Sequence, residues 1–194
     1  MISSPSTKTV YKPVIDPSSF FHKEATIIGN VIIGKNVYIG PGASLRGDWG
    51  QIIIKDGCNI QDNCIIHIFP GKDVILEENA HIGHGAIIHG ANIGKNSMIG
   101  MNAVVMDDAV IGENSFVAAM AFVKAGMEVP DNVLVAGCPA TIIRELQEKE
   151  IAWKGEGTKI YQQLAMRHAT TAIECEPLLE AEPDRQRVSL TDHN

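Results

Sequence analysis

The chain has 194 residues, a formal net charge of −7, 45% hydrophobic residues and only 5% aromatic residues. This length suits one main domain with a small appendage, and the acidic balance argues against nucleic-acid binding, because neutralising phosphates requires a basic surface. The N-terminus lacks a secretory apolar core, no apolar run reaches the roughly 20 residues that span a bilayer, and no polybasic or lipidation motif is present. We therefore expect a cytoplasmic protein without membrane or nucleic-acid partners.

An aliphatic residue recurs every six positions through most of the chain, often with glycine directly after it, as in Ile33-Gly34 and Ile82-Gly83. Period six with recurring glycine fits neither the 3.6-residue pattern of a helix nor good helix propensity. The runs are Ile27, Ile33, Ile39, Leu45; then Ile54, Ile60, Ile66; then Leu76, Ile82, Ile88; and finally Ile93, Ile99, Val105, Ile111, Val117, Val123.

Three such units would close a triangular coil of about 18 residues, and stacked coils would bury one aliphatic column. A narrow prism holds Ile, Val and Leu but few rings, which explains the low aromatic content. The sequence therefore predicts an all-β protein with a parallel β-helix over residues 1–138.

From about Pro139 the six-residue period is lost and a helical pattern begins. Ile142, Ile151 and Trp153 contribute to one apolar face, and the segment 155–157, Gly-Glu-Gly, predicts a break before a second helix near Ile160. We predict two C-terminal α-helices within residues 139–178, packed along the prism or a neighbouring subunit, and a loosely ordered polar tail over 179–194.

Three histidines form a candidate metal site. If the step from Ile66 to Leu76 contains a four-residue bulge, His67 and His89 occupy equivalent positions on successive coils and both point outward. His84 falls on the preceding face, so one chain does not easily bring the three together. A homotrimer would, if each histidine pair met a neighbour's His84, and three imidazoles with one open position form the usual catalytic zinc site.

The remaining histidines, His22, His81, His168 and His193, are interpreted as surface or structural residues. The same count of coils places Arg46 and Asp48 on the face of the histidine pair.

Asn59 and Gln61 fall on the face of His84, so all these polar side chains should converge on one intersubunit cleft. Two alternatives stay open. Arg46 and Asp48 could equally form a structural salt bridge of the trimer, and Gln61 could be a hydrogen-bonding residue of the interface. Glu77 and Glu78 fit a solvated corner or a substitute proton relay.

Several segments resemble the γ-class carbonic anhydrases, a family of hexapeptide-repeat proteins, and within it the group of phenylacetate-degradation and carnitine-operon proteins. They are residues 44–48 (SLRGD), 59–62 (NIQD), 64–67 (CIIH), 84–89 (HGAIIH) and 100–107 (GMNAVVMD), with the AGCPA turn at 136–140. The resemblance implies a left-handed coil, an exception to the right-handed rule for parallel crossovers.

The resemblance also implies roles at the site. His67 and His89 of one subunit and His84 of the next would bind Zn²⁺, Fe²⁺ or Co²⁺, which would lower the pKa of its water and supply hydroxide as the nucleophile. Arg46 and Asp48 would form an intersubunit ion pair, and Gln61, helped by Asn59, would orient the water or the substrate.

Two departures from the γ-class pattern bear on the reaction. Trp49 stands where a carboxylate is expected, and the short segment 68–73 (IFPGKD) leaves no room for a loop with a proton-shuttle glutamate. Attack of a metal hydroxide on a thioester carbonyl depends less on that shuttle, and the resemblance to the phenylacetate-degradation group implies a CoA-thioester hydrolase. We therefore predict this activity, with CO2 hydration to bicarbonate as a further one. The alternatives are a metal-free hexapeptide acyltransferase that uses acyl-CoA with a histidine as general base, and a non-catalytic trimeric accessory protein of CoA or carnitine metabolism.

Overall fold

The computed structural model describes residues 1–2, 4–5 and 10–186. Residues 187–194, with His193 and the end of the predicted polar tail, lie outside the described residues. The chain folds into a parallel β-helix of about seven turns followed by one helix, which confirms the predicted β-helical class.

The β-helix is built from short strands, most of them two residues long. In chain order they are β1 (Ser4–Pro5), β2 (Val10–Tyr11), β3 (Val14–Ile15), β4 (Phe20–Phe21), β5 (Thr26–Ile33), β6 (Tyr38–Ile39), β7 (Ser44–Ile54), β8 (Asn59–Ile60), β9 (Ile65–His67), β10 (Asp73–Leu76), β11 (His81–Ile82), β12 (Ile87–His89), β13 (Asn92–Ile93), β14 (Met98–Ile99), β15 (Val104–Val105), β16 (Val110–Ile111), β17 (Phe116–Val117), β18 (Phe122–Val123), β19 (Glu128–Val129), β20 (Val133–Gly137) and β21 (Ala140–Glu145). The helix α1 spans Glu148–Thr171.

Two large sheets form the three walls of the prism, and the larger sheet covers two of them because β7 runs across a corner. One contains the strand order β18-β15-β12-β9-β7-β10-β13-β16-β19, with β5 joined to β7 and β3 joined to β5. The other has the order β21-β20-β17-β14-β11-β8-β6-β4, and β1 and β2 form a separate antiparallel pair. Neighbouring strands within each wall come from successive coils, so residues one coil apart lie side by side.

The predicted aliphatic column is the core. Every residue of the six-position repeat named above is at most 2% exposed. Full burial of a side chain of this size contributes about 1.5–3 kcal/mol. The column therefore supplies most of the apolar burial that holds the coils together.

Asparagine, or a glycine outside the Ile-Gly repeat, turns most corners, and the repeat glycine does not. Seven of the nine non-glycine residues with positive φ in the described part of the chain are asparagines, among them Asn96 and Asn114, and Asn tolerates this region better than most residues. The Asn96 amide donates to Asn114 Oδ1 at 2.7 Å. The repeat glycine serves close packing instead, since a Cβ on Gly83 would lie 2.8 Å from the carbonyl oxygen of Ile99.

One corner is interrupted. Strand β7 runs straight through it and pairs with β9 and then with β10, which accounts for the extra residues between Leu45 and Ile54. The loop Ile68–Lys72 between β9 and β10 projects beside it. Both irregularities lie next to the candidate site.

The C-terminal prediction was wrong in two respects. Residues 140–145 form β21, which pairs antiparallel with β20, because the last coil leaves a strand edge to be paired and the β-branched Thr-Ile-Ile run suits a strand. The predicted break at 155–157 is absent, and one helix runs through it. Glycine in a helix interior costs about 1 kcal/mol, which the docking contacts of α1 offset.

Helix α1 docks through Lys154, Thr158 and Ala165, which are buried, while Trp153 is 67% exposed. The predicted apolar face containing Trp153 is therefore not the docking face. Aromatic contacts also hold α1 against the β-helix, with ring centroids 5.5 Å apart for Tyr38 and Tyr161. Among the residues described, no helix has the length and apolar character needed to cross a membrane.

Candidate metal centre

His67 and His89 lie side by side on neighbouring coils. They are register partners in β9 and β12, as the repeat phase predicted, and both follow a buried isoleucine, so both imidazoles point outward. His67 Nδ1 lies 3.3 Å from His89 Nε2. The pair is thus preformed within one chain.

The spacing of these two nitrogens fits a shared metal ion. Two ligands about 2.0–2.1 Å from a tetrahedral Zn²⁺ are about 3.3 Å apart. His89 Nδ1 lies 2.8 Å from Asp107 Oδ1, so this nitrogen carries the proton. The lone pair of Nε2 is then available to bind a metal ion. Such a carboxylate behind a histidine is typical of metal sites.

His67 is held differently. Its Nε2 lies 3.3 Å from Asp48 Oδ1, and these two buried atoms have no hydrogen-bond partner among the residues described. Burial, followed by the charge of Arg46, lowers the pKa of His67. The imidazole is therefore neutral at neutral pH, the form in which histidine binds metals.

Asp107 is a functional candidate that the sequence reasoning missed. It lies in the corner after β15, one coil beyond His89, and its side chain takes space left open by Gly90, where a Cβ would lie 2.5 Å from Asp107 Oδ1. Asp107 follows His89 by 18 residues, the length of one coil, and this spacing could have identified it as a neighbour of His89. The six-residue count was used for polar residues between 46 and 89 and did not extend to Asp107.

Arg46 and Asp48 pair within one chain. Arg46 Nη2 donates to Asp48 Oδ2 at 3.0 Å and Nε donates at 3.2 Å, while the intersubunit ion pair that the resemblance implied stays a prediction. The two residues lie close together on β7, which makes the short pairing available. Burial opposes ionisation of Asp48, but hydrogen bonds from Arg46 and from the Asp48 backbone, together with the charges of Arg46 and His67, outweigh it, so the pKa of this carboxyl lies below its ordinary value. The position of both residues beside the histidine pair agrees with the predicted face.

His84 lies at a different corner, directly after β11. Its Nδ1 is 3.0 Å from Asp62 Oδ2, and its backbone N–H donates to Gln61 Oε1 at 3.2 Å. Within the described part of the chain, no three His, Cys, Asp or Glu side chains are grouped so as to hold a metal ion. One chain therefore brings together His67 and His89 but not His84.

Asn59 and Gln61 are buried, and both contact His81. The Gln61 amide lies 2.7 Å from His81 Nε2, and the Asn59 amide lies 3.3 Å from His81 Nδ1. Burial, then the charges of Lys154 and His84, lowers the pKa of His81 to about 3. This neutral imidazole fits the predicted structural role, and the catalytic roles of Asn59 and Gln61 stay predictions.

Two exposed aromatic rings flank the histidine pair. The ring centroid of Trp49 lies 5.6 Å from that of His67, and the ring centroid of Phe69 lies 5.0 Å from that of His89. We call Trp49 and Phe69 the aromatic rim. Trp49 and Asp48 also line a cleft of about 420 Å³, and His84 and Gln61 line a second, mainly apolar cleft of about 370 Å³ beside α1.

Comparison with known proteins agrees with this architecture. A family model described as bacterial transferase hexapeptide (six repeats) matches residues 12–47 and 90–125, and one described as hexapeptide repeat of succinyl-transferase matches residues 73–106. The chain belongs to the hexapeptide-repeat proteins. Within them it is similar to the carnitine operon protein CaiE of Salmonella typhimurium, with 50% identity over 179 residues that cover 92% of this chain and 90% of the relative.

The chain is also similar in fold to several solved structures. The BC4754 gene product of Bacillus cereus has a TM-score of 0.83 and 33% identity, covering 87% of this chain and 97% of the other. A hexapeptide transferase family protein of Anaplasma phagocytophilum has a TM-score of 0.78 and 36% identity, covering 84% and 96%. PerB of Caulobacter crescentus, solved with CoA and GDP-perosamine, has a TM-score of 0.57 and 25% identity, covering 68% and 57%.

Proposed function

We propose that the chain acts as a homotrimeric, metal-dependent hydrolase of CoA thioesters, with CO2 hydration as a further activity. His67 and His89 of one subunit and His84 of the next would hold Zn²⁺, Fe²⁺ or Co²⁺ between them. A divalent metal at this position would supply Lewis-acid activation of water.

The observation that carries the proposal is the arrangement of the histidine pair. His89 Nε2 presents a lone pair toward His67, because the opposite nitrogen, Nδ1, carries the proton and donates a hydrogen bond to Asp107. His67 and His89 nitrogens 3.3 Å apart would repel if both presented lone pairs, and a cation between them removes that repulsion.

The surrounding residues support a role in positioning. Asp48, held by Arg46, lies against His67, and Gln61 accepts a hydrogen bond from the backbone of His84. Removal of Asp48 would loosen His67, and removal of Gln61 would loosen His84. We therefore assign them the task of fixing the ligand histidines.

The choice of a thioester over CO2 rests on the aromatic rim. Rapid CO2 hydration requires a group that carries a proton to buffer, and the exposed rings that pack on the pair, Trp49 and Phe69, do not carry protons at neutral pH. PerB, a solved relative, binds CoA, which supports a CoA ester as the substrate class.

Acyl transfer from CoA is the second candidate. It is favoured by the transferase families to which the matching models refer. The Asp107–His89 contact would equally orient His89 as a general base without a metal.

The decisive experiment is elemental analysis combined with a CoA-release assay. The proposal expects about one metal ion per chain, lost in a His89→Ala variant and retained in the matched control His22→Ala, with CoA release falling in parallel. Metal-free protein that transfers acyl groups to an amine or hydroxyl acceptor would contradict it and support the second candidate. Inactivity with every thioester would favour the accessory role.

A further inference from the structure

Gln61 lies at the centre of a polar network behind His84, on the wall of the prism against which α1 packs. Its side chain is 3% exposed, so its polar atoms need hydrogen-bond partners within the chain. The backbone N–H of His84 can only donate, and it lies 3.2 Å from Gln61 Oε1. This contact fixes the orientation of the Gln61 amide, with Nε2 turned away from His84.

His81 receives the other end of this amide. Gln61 Nε2 lies 2.7 Å from His81 Nε2. Because the amide nitrogen only donates, this ring nitrogen accepts, and the proton of the neutral imidazole is on Nδ1. The longer contact, 3.3 Å between Asn59 Nδ2 and His81 Nδ1, then joins two N–H groups and is not a hydrogen bond.

Asn59 holds the second hydrogen of the same amide. Gln61 Nε2 donates to Asn59 Oδ1 at 3.0 Å, and Asn59 is fully buried. Both hydrogens of the Gln61 amide are therefore used, and its oxygen is used by His84. The Gln61 side chain is held in one orientation.

Helix α1 supports His81 through Tyr161. The Tyr161 ring meets the imidazole edge to face, with centroids 5.5 Å apart and an interplanar angle of 90°, a favourable aromatic geometry. A chain of contacts therefore runs from α1 through Tyr161, His81 and Gln61 to the backbone of His84. All of these contacts are made within one chain, so no neighbouring subunit is needed to form them.

We propose that His81 is a positioning residue, which fixes Gln61 and through it the backbone from which the His84 imidazole projects. This inference rests on the proposed function, in which His84 is the metal ligand supplied to a neighbouring subunit. Its own chain must hold such a ligand in place, because a loosely held ligand has to be ordered on binding and loses affinity. His81 then has a role beyond the structural one that the sequence suggested.

Hydrogen exchange of the His84 backbone amide measures this contact directly, in the full-length protein without metal. We expect His81→Leu to accelerate exchange at His84 by about three- to tenfold, the effect of weakening one hydrogen bond. Unchanged exchange at His84 in this variant would overturn the inference.

The flanking amides are internal controls. The Gly83 N–H donates to the carbonyl oxygen of Ile99 and the Gly85 N–H to that of Asp62, both at 2.8 Å. Neither bond involves Gln61, so both amides should exchange at the wild-type rate. Equal acceleration at all three amides would show a general loosening of the corner and would contradict a positioning role.

Two conservative variants separate the contacts from bulk. His81→Gln carries an amide oxygen that can accept in place of the imidazole Nε2, so it should restore slow exchange at His84. Tyr161→Phe keeps the ring that packs on His81 and should behave as wild type, whereas Tyr161→Leu should accelerate exchange at His84. Fast exchange in His81→Gln that matches His81→Leu would count against the hydrogen bond as the cause.

The affinity for Co²⁺, measured by competition with a chelator, tests whether the contact matters to the metal. His81→Leu should weaken Co²⁺ binding by about tenfold. In a Gln61→Leu background the same change should have no further effect, because His81 acts only through Gln61. Additive losses in the double variant would overturn the inference.

The two measurements distinguish this inference from the proposed function. Faster exchange at His84 in His81→Leu, in a protein whose wild type binds no metal, would support the contact with His81 and contradict the proposed function. Tight Co²⁺ binding that survives both His81→Leu and Gln61→Leu would support the metal site and overturn the positioning role.

Discussion

The carboxylate of Asp107 shows how one residue prepares a histidine for metal binding. It accepts a hydrogen bond from His89 Nδ1 at 2.8 Å, which fixes both the proton and the ring orientation. Its position depends on a corner conformation in which Gly90 has a φ of +61°. The repeat phase identified His89, but the partner behind it came only from the folded corner.

We predict that Asp107→Asn weakens metal binding. The neutral amide no longer favours a proton on His89 Nδ1 and lowers ligand basicity, so affinity should fall by about 10–100-fold. Competition with a coloured chelator measures this, and circular dichroism checks the fold.

The matched control is the adjacent Asp108→Asn. Asp108 pairs with Lys72 and does not contact either histidine of the pair, so this variant should bind metal as wild type does. Equal affinity in Asp107→Asn and wild type would exclude the role assigned to Asp107.

At the scale of elements, α1 depends on one buried lysine. Lys154 is 2% exposed, and its Nζ donates to Asn96 Oδ1 at 2.9 Å and to the carbonyl oxygen of Asn79. Burial lowers the pKa of Lys154 to about 7. These contacts anchor the helix to two successive asparagine corners, which the helical pattern of the sequence did not indicate.

Lys154 therefore makes stability depend on pH. An unfolded lysine has a pKa near 10.4, so between about pH 7 and 10 the unfolded state binds more protons than the folded state. The free energy of unfolding should rise with pH through this window, by up to about 1.4 kcal/mol per pH unit, and the gain is lost as pH falls towards 7.

Chemical denaturation at pH 7 and pH 9.5 checks this expectation. Lys154→Met should remove the rise, because the methionine side chain does not titrate. Lys159→Met, on an exposed lysine of the same helix that pairs with Glu156, should keep the rise. An identical pH slope in wild type and Lys154→Met would refute the role of Lys154.

At the scale of the whole molecule, the position of His84 makes the trimer a condition of the proposed site. His67 and His89 belong to strands of the larger sheet, whereas His84 follows β11 in the second sheet, on a different wall of the prism. A site made from both requires residues of two subunits. This requirement gives a test by complementation.

We predict that His84→Ala and His89→Ala chains, each metal-free alone, regain metal when unfolded and refolded together. Each mixed trimer contains one interface with an intact His67 and His89 facing an intact His84. A random equimolar mixture should then recover about a quarter of the wild-type metal content. No recovery in mixtures whose trimers have formed would show that the site is not shared between subunits.

The β-helix, its aliphatic core and the stacking of His67 on His89 follow from the six-residue period alone. In a solenoid each coil contacts only its neighbours, so a count of six-residue steps converts directly into position in space. For the same reason it placed Arg46 beside His67 and kept His84 apart.

The features that interrupt this repetition depend on contacts made in the folded chain. Strand β21 forms because the last coil has an open edge, and α1 continues through Gly155 and Gly157 because Lys154, Thr158 and Ala165 dock it onto the corners. The pairing of Arg46 with Asp48 and the contact of Asp107 with His89 depend on side-chain geometry within single corners. These interactions are set by local packing, which a period in the sequence does not encode.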